Sequence, residues 1–345
     1  MSLRLLQIGL GSWGLDWAKR IIARSEAVSQ AGYIVRSPDR AGATRAALGC
    51  EASAIFYSID EAVRGTGADA LLVTTGTGAH CELIREALDA GLHVLVEKPF
   101  APSVEDARTL VELAQARGRV LMVNQNFRYF PAPRCVAELV RSQAFGRLNG
   151  VSIDFRRSAA RGDAARGDWI SRQPQPLLFD LGIHHFDLMR MIIGSDAASV
   201  ACSAWKPASS RFVDPSSAAA LICFDGVTAS WAGSWEAPGT ETPYSGNWRL
   251  DCEGAEIRWT CRGDRDLTLD ADEVVIVEGD QRRTIPLDKS GAFGRSAVLE
   301  AFVAAIHGRS DDPYLPLASD NLASLELTLA AVEASRTHRT VVLAN

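Results

Sequence analysis

The sequence lacks the features of a membrane or exported protein. No apolar run approaches the roughly 20 residues that a helix needs to cross a bilayer, and the chain enters an apolar, strand-like segment at once. That beginning predicts neither a signal peptide nor a transit peptide. The seven cysteines are scattered and form no C-x-x-C pair, which favours reduced thiols over a disulfide framework or a zinc site. We therefore expect a cytoplasmic protein without a metal centre.

A strong positive charge is also missing. The net charge is −6, and no run of lysine or arginine interrupts the acidic balance, which argues against a nucleic-acid partner. Hydrophobic residues make up 47% of the chain and charged residues 23%, as in ordinary globular proteins. A chain of 345 residues is long enough for two domains with sizeable cores.

A glycine-rich turn near the start is the most informative stretch. The apolar run 3–8 leads into Gly9-Leu10-Gly11-Ser12-Trp13-Gly14, and a helix-compatible segment, 15–24, follows. In a strand–turn–helix unit these glycines permit a tight turn, a close approach of a pyrophosphate and close helix packing. The helix N-terminus would favour the phosphates. The pattern predicts a dinucleotide site, although a glycine turn that merely joins a strand to a helix would look the same.

Strand-like and helix-like segments alternate up to about residue 124. Such alternation predicts a doubly wound, mostly parallel sheet. After residue 124 the pattern changes to helices at 131–142 and 177–193, a polar loop at 158–176, a series of strand-like runs between 199 and 286, and two final helices. We therefore expect an α/β domain at 1–124 and an α+β domain at 125–345 with a large, mainly antiparallel sheet. The C-terminal helix is expected to be able to pack back on the first domain.

Two groups of side chains could carry chemistry. Asp180, His184 and Asp187 recur at helical spacing in a largely apolar segment, and a carboxylate four residues from a histidine can tune it for acid/base work. A structural Asp–His pair is the alternative. Lys98 ends a predicted parallel strand before Pro99, where ligands of doubly wound folds bind. A solvated loop lysine remains the other interpretation.

These motifs occur together in one family. The sequence resembles the Gfo/Idh/MocA family of NAD(P)-dependent oxidoreductases, named after glucose–fructose oxidoreductase, inositol dehydrogenase and a rhizopine catabolism protein. The family order is kept over roughly residues 3–194. The resemblance rests on the glycine turn and on Val73 to His80, Glu97-Lys98-Pro99, Asn126-Phe127-Arg128-Tyr129 and Asp180-Leu181-Gly182-Ile183-His184-His185-Phe186-Asp187. It implies a Rossmann fold for the first domain.

The resemblance also implies roles for individual residues. Lys98, Asp180 and His184 match the catalytic positions, with His184 as the proton acceptor in the oxidation of a secondary alcohol of a sugar or cyclitol, or in the reverse reduction. The expected cofactor contacts are Gly9, Gly11, Ser12, Trp13, Gly14, Thr75, Gly76, Thr77, His80, Glu97, Lys98 and Asn126. The expected substrate contacts are Arg128, Arg156, Arg166, Trp169 and His185. An NAD-dependent glycosidase and a cofactor-binding regulator without turnover remain alternatives.

The second strand indicates which cofactor is used. NAD-preferring domains place an acidic residue at its end, where it meets the ribose hydroxyls, but Val35 occupies that position here. Arg36, Ser37 and Arg40 could instead bind a 2′-phosphate, so NADP is slightly favoured over NAD. The arginines could also be solvated, with Asp39 meeting the ribose.

The C-terminal sheet is expected to form a homodimer or homotetramer. One face of an antiparallel sheet can pack on helices while the other stays open. Five of the eight tryptophans fall in its strand-like runs, at 205, 231, 235, 248 and 259. Exposed aromatic surface marks interfaces, although rings inside the core would explain the same residues.

Overall fold

The computed structural model describes residues 2–159, 164–263 and 267–343, with the backbone alone at 164–167. Contacts divide the chain into two compact units. The first comprises residues 1–125 and 295–322, and the second comprises 126–294 and 323–345. The sequence-based division gave 125–345 to one domain, whereas contacts place 295–322 with the first unit.

The first unit contains a six-stranded parallel sheet in the order β3-β2-β1-β4-β5-β6. Its strands are short and their side chains mostly buried, because helices cover both faces of such a sheet. The strands are β1 Leu3–Ile8, β2 Val28–Ile34, β3 Ile55–Phe56, β4 Ala70–Val73, β5 His93–Val96 and β6 Leu121–Val123. The helices are α1 Ser12–Asp16, which continues as a π turn Trp17–Ile21 and a 3₁₀ turn Ile22–Arg24, then α2 Pro38–Leu48, α3 Ile59–Thr66, α4 His80–Asp89 and α5 Val104–Ala116.

Local capping explains where several of these helices begin and end. Ser103 is the N-cap of α5, and its Oγ accepts a hydrogen bond from the backbone N–H of Asp106 at 3.1 Å. Gly67 ends α3 in the left-handed conformation, with φ at 59°, which glycine adopts without strain. The Ser103 cap and the left-handed Gly67 therefore set the start of α5 and the end of α3.

The second unit is built on a nine-stranded sheet in the order β14-β13-β12-β11-β7-β10-β9-β8-β15. Only β7 and β10 pair in parallel. The strands are β7 Leu148–Arg156, β8 Ser199–Trp205, β9 Ser217–Cys223, β10 Thr228–Ser234, β11 Asn247–Cys252, β12 Glu256–Thr260, β13 Glu273–Glu278, β14 Gln281–Thr284 and β15 Val341–Val342. Its helices are α6 Pro131–Arg141, α7 Ala164–Ser171 and α8 Ile183–Ile193. All of α9 Gly294–Ile306 except its first residue falls in the first unit, and α10 Ala318–Thr337 begins in the first unit and continues into the second. The predicted fold class is confirmed.

The tryptophans of this sheet correct one expectation. Trp231, Trp235, Trp248 and Trp259 are at most 3% exposed, and only Trp205 is solvent-accessible, at 49%. The buried rings belong to the face on which the helices of the second unit pack. The aromatic argument for an interface was therefore wrong for four of the five rings, because strand alternation placed them in the core.

The polar segment before α8 also differs from expectation. It was predicted to be a loop, but α7 forms within it. Arginine, glycine and aspartate dominate its sequence, and Gly167 alone costs about 1 kcal/mol in a helix, so composition concealed the helix. A π turn, Leu178–Gly182, precedes α8. The rotation about the helix axis from Asp180 to His184 therefore differs from that in a regular α-helix.

Candidate active site

The glycine turn of the first unit is shaped by close backbone packing. Gly9 has φ at 94°, and a Cβ there would lie 2.4 Å from the backbone nitrogen of Thr75. A Cβ on Gly14 would lie 1.9 Å from the carbonyl oxygen of Gly9. A Cβ on Gly11 would meet no atom within 4 Å. Two glycines are therefore required by packing, and the open space beside Gly11 fits the approach of a pyrophosphate.

Side chains from β1 and β4 hold the turn in place. Thr74 Oγ1 donates to the carbonyl oxygen of Gly9 at 2.7 Å, and Gln7 Nε2 donates to that of Gly14 at 2.7 Å. Both residues are buried. These hydrogen bonds hold the cradle in shape, and the start of a helix offers backbone N–H groups to a nucleotide phosphate.

Glu97 connects the turn to the end of β5. Its Oε1 accepts hydrogen bonds from Trp13 Nε1 at 2.5 Å, Trp17 Nε1 at 2.8 Å and Asn124 Nδ2 at 2.9 Å. Charge-assisted bonds of this kind are stronger than neutral ones. Glu97 is 7% exposed. We interpret it as a positioning residue between the glycine turn and Lys98, which follows directly and is partly exposed.

Arg295 completes this cluster and belongs to residues 295–322, the later part of the first unit. Its guanidinium pairs with Asp16 and lies over the Trp13 ring at 4.1 Å. The side chain is fully buried, and Trp13 itself is 38% exposed. Trp13, an expected cofactor contact, is thus held on one edge by Glu97 and stacked by Arg295.

His80 lies between two expected contact segments. Its Nδ1 is 2.9 Å from the carbonyl oxygen of Pro99, and its Nε2 is 3.0 Å from that of Thr75. A neutral imidazole can donate to only one of them. Burial lowers the pKa of His80, while the two carbonyls and Glu97 act in the opposite direction. His80 therefore binds the backbone on both sides of the predicted site.

The end of β2 exposes the residues expected to select the cofactor. Arg36 and Arg40 are exposed, and Val35 is buried. Ser37 Oγ caps α2 by accepting from the backbone N–H of Arg40 at 3.4 Å. Within the described ranges the structure records no ion pair of Arg36 or Arg40. Both guanidinium groups are therefore accessible to solvent.

In the second unit, His184 is held by an aromatic stack. The Phe127 ring lies 4.3 Å from the imidazole, centroid to centroid, and the two planes are parallel at 0°. His184 is 4% exposed, and Asp180 is partly exposed in the preceding π turn. The helix therefore presents His184 in a fixed orientation with limited access.

His185 is a structural residue, contrary to its predicted substrate contact. Its Nδ1 accepts from Trp231 Nε1 at 2.9 Å, so its Nε2 carries the proton that is donated to the carbonyl oxygen of Tyr244 at 2.9 Å. Complete burial lowers the pKa of His185 to about 4. Both ring nitrogens are used inside the protein, and the side chain is inaccessible to substrate.

The guanidinium of Arg128 is likewise paired inside the protein. Its Nε and Nη2 each donate to Asp187 at 2.6 Å, forming a buried bidentate pair. Ser324 Oγ donates to the same carboxylate at 2.7 Å, and Arg190 Nη1 donates to Ser324 at 2.8 Å. Arg128 is only 3% exposed. We therefore interpret Arg128 as a structural residue rather than a substrate contact.

The remaining predicted substrate residues are dispersed. Arg156 is exposed on the face of β7 opposite Phe155, which contacts His185. It therefore points away from the helix-covered face, because side chains alternate along the strand, and its substrate contact stays a prediction. Its neighbour Arg157 lies 4.2 Å from the Tyr244 ring centre. Trp169 is 54% exposed on α7, and the side chain of Arg166 lies outside the described residues.

Asn126, an expected cofactor contact, begins a 3₁₀ turn, Asn126–Tyr129. Its side chain is 3% exposed, and its Nδ2 has no hydrogen-bond partner in the described part of the chain. A buried amide left without a partner costs free energy, so this donor is available to a bound molecule. Thr75, Gly76 and Thr77 follow β4 in the first unit, where the pattern predicted them.

Sequence reasoning missed several residues that support the site. Asn124, Trp17 and Arg295 contact Glu97 or Trp13. Arg262 lies over the Phe127 ring, and Tyr244 lies against Arg262. Phe127 lies within a recognised motif, but nothing in the motif gives its stacking role. Arg295 and Arg262 come from remote segments with no local pattern, so only the folded chain brings them together.

The strand order of the first unit and its glycine cradle define a Rossmann dinucleotide-binding fold. Residues 3–125 match the family model described as an oxidoreductase family with an NAD-binding Rossmann fold, and residues 133–258 match the Gfo/Idh/MocA C-terminal domain. The chain belongs to the Gfo/Idh/MocA family, as its motifs predicted.

Individual relatives are distant. The inositol 2-dehydrogenase of Rhizobium meliloti is 26% identical over the full length of both chains. The D-apiose dehydrogenase of Paraburkholderia graminis is 32% identical over 35% of this chain and 32% of its own. An Agrobacterium radiobacter oxidoreductase, solved with NAD⁺, L-tartaric acid and magnesium, superposes with a TM-score of 0.83 at 21% identity, covering 99% of this chain and 98% of that one. The first curated relatives are matched over only 32–66% of their own length.

Two absences complete the description. None of the helices in the described ranges combines the length and apolarity needed to cross a membrane. Among the residues that the structure describes, no three His, Cys, Asp or Glu side chains group as ligands for a metal ion.

Proposed function

We propose that this protein is an NAD(P)-dependent oxidoreductase that interconverts a secondary alcohol and a ketone on a sugar or cyclitol. Family membership supports the reaction class, and the names of the inositol and apiose dehydrogenases support the substrate class. The observation that carries the proposal is the glycine cradle, in which a Cβ on Gly9 or Gly14 would collide with the backbone while the space beside Gly11 is open. When bound, the nicotinamide supplies the hydride acceptor or donor.

The chain's own residues would move the proton and stabilise charge. His184 takes the hydroxyl proton, because its imidazole is already oriented by Phe127 and a neutral imidazole can accept a proton. Asp180, partly exposed one turn earlier, tunes that imidazole. Lys98, directly after the anchored Glu97, donates to the substrate oxygen as negative charge develops there.

For the cofactor, Gly11, Ser12 and Trp13 would contact the pyrophosphate region. Arg36 and Arg40, both exposed, favour NADP through their charge. A homodimer or homotetramer through the open face of the nine-stranded sheet remains part of the proposal, as does a cytoplasmic location.

The test is a panel of polyols and sugars with each cofactor, read by absorbance of the reduced nicotinamide. On the best substrate, Lys98→Ala and His184→Ala should each lower turnover at least about 100-fold, since such groups typically contribute about 10²–10⁴. Cofactor affinity should change much less. Turnover near wild type in either variant would remove that residue from the mechanism. Release of an aglycone without net reduction would replace the dehydrogenase by a glycosidase.

A further inference from the structure

His184 is the last member of a column of stacked side chains in the second unit. The Phe127 ring is parallel to the imidazole at 4.3 Å, and the Arg262 guanidinium carbon lies 4.5 Å from the centre of the same ring. Arg262 also lies 4.9 Å from the Tyr244 ring centre, and Arg157 lies 4.2 Å from it. Flat cations and aromatic rings therefore alternate from Arg157 to His184.

The far end of the column is anchored to the sheet domain. Arg157 pairs with Glu241 at 3.1 Å, and its Nη1 donates to the carbonyl oxygen of Thr242 at 2.9 Å. The backbone N–H of Tyr244 donates to the carbonyl oxygen of Arg262 at 2.8 Å. Both guanidinium groups lie within the distance at which a cation is attracted to an aromatic face. The position of Phe127 is therefore set by contacts that extend well beyond its own turn.

A histidine ring has a broad second torsion that defines its orientation poorly. A proton acceptor loses efficiency when its nitrogen is misplaced, and a displacement of about 1 Å can cost about 100-fold in rate. The parallel Phe127 ring removes this freedom, because a rotated imidazole would clash with it or lose the stack. The column thus restrains the one side chain whose direction matters most for proton transfer.

We propose that Phe127 and Arg262 are positioning residues for His184, which they hold in the orientation for proton transfer before substrate binds. Phe127 supplies the plane against the imidazole, and Arg262 holds Phe127. The inference rests on the proposed role of His184 as proton acceptor.

The experiment compares Phe127→Leu with Phe127→Tyr, which keeps the ring, and with Phe186→Leu as the matched control. Phe186 is also fully buried, and the ring contact recorded for it is with Trp231. Phe127→Leu should lower kcat about 10- to 100-fold and raise the solvent deuterium isotope effect on kcat, with the KM for the alcohol changed less than about 3-fold. Phe127→Tyr should restore most of kcat, and Phe186→Leu should leave kcat and the isotope effect near wild type.

Like Phe127→Leu, Arg262→Met should lower kcat, here by about 3- to 10-fold, consistent with the loss of one cation–ring contact. Arg262→Lys should lower kcat less. An unchanged kcat in Arg262→Met overturns the part assigned to Arg262. Should Phe127→Leu fail to fold, Phe127→Met takes its place with the same criteria. Equal kinetics in the Phe127 and Phe186 variants, while His184→Ala is inactive, overturn the inference alone. An active His184→Ala overturns the proposed role of His184 as well.

Discussion

The buried pair of Arg128 and Asp187 should dominate the stability of the second unit. The two side chains are 3% and 0% exposed and are joined by two bonds of 2.6 Å. Removing one partner leaves a buried charge without its counter-ion, which costs about 3–5 kcal/mol. In a domain of about 150–250 residues each kcal/mol shifts Tm by about 2–4 °C. Arg128→Met should therefore lower the transition of this unit by roughly 6–20 °C.

Differential scanning calorimetry and urea unfolding would measure the effect. The matched control is Arg147→Met, which breaks the bond to Glu253 at a site where the arginine is 78% exposed. An exposed pair contributes little because solvent screens it, so the Tm of this control should stay close to that of wild type. Combining Arg128→Met with Asp187→Leu removes both charges and should recover much of the loss. If Arg128→Met unfolds like the control, the buried pair does not carry the stability assigned to it.

Three further predictions concern the cofactor, assembly and pH. Arg36→Ala should weaken NADP binding about 10-fold with little effect on NAD, consistent with the loss of one phosphate contact. Tighter NAD than NADP binding that Arg36→Ala leaves unchanged would refute a role in selection, and Arg45→Ala, which removes an exposed arginine of the following helix α2, is the control. Light scattering at micromolar concentration should give a dimeric or tetrameric mass, and a monomer would contradict assembly through the open sheet face. Burial raises the pKa of Asp272 from 3.8 to about 6, so between these values the folded state keeps a proton that the unfolded chain releases. The free energy of unfolding should therefore fall by roughly 3 kcal/mol as pH rises from about 4 to 6. Urea unfolding at several pH values should show that Asp272→Asn removes this dependence of the free energy of unfolding on pH. An unchanged dependence in the variant would show that the Asp272 carboxyl does not cause it.

The strands and helices could be predicted closely because their side-chain patterns are local. The strand-like runs predicted between 199 and 286 contain β8 to β14, and the helix predicted at 131–142 ends one residue beyond α6. The two shortest strands, β3 and β15, have two residues each and carry no periodicity of their own. The local residue pattern therefore predicts the longer strands and helices but not the two-residue strands at the edges of the sheets.

The candidate site was predictable only in part. Lys98 and His184 lie in compact motifs, so sequence could single them out. Sequence spacing could not show that His185 is buried or that Arg156 lies on the open face, because spacing indicates a face only when the surrounding structure is known. His185 lies against Trp231, and Arg156 alternates to the open face of the sheet. The stacking partner Arg262 is 135 positions from Phe127 along the numbering, and no single-sequence pattern connects two such residues.

The contact between Asp16 and Arg295 has a consequence for synthesis on the ribosome. The two residues are 279 positions apart, so the first helix after the glycine turn lacks this partner until most of the chain has been translated. Domains usually fold in order as they emerge, but the nucleotide-binding unit needs residues 295–322 and cannot be completed first. The sheet of the second unit, apart from β15, is synthesised in the meantime. A nascent chain arrested before residue 295 should thus carry a nucleotide-binding unit still open to proteases around Trp13 and Trp17.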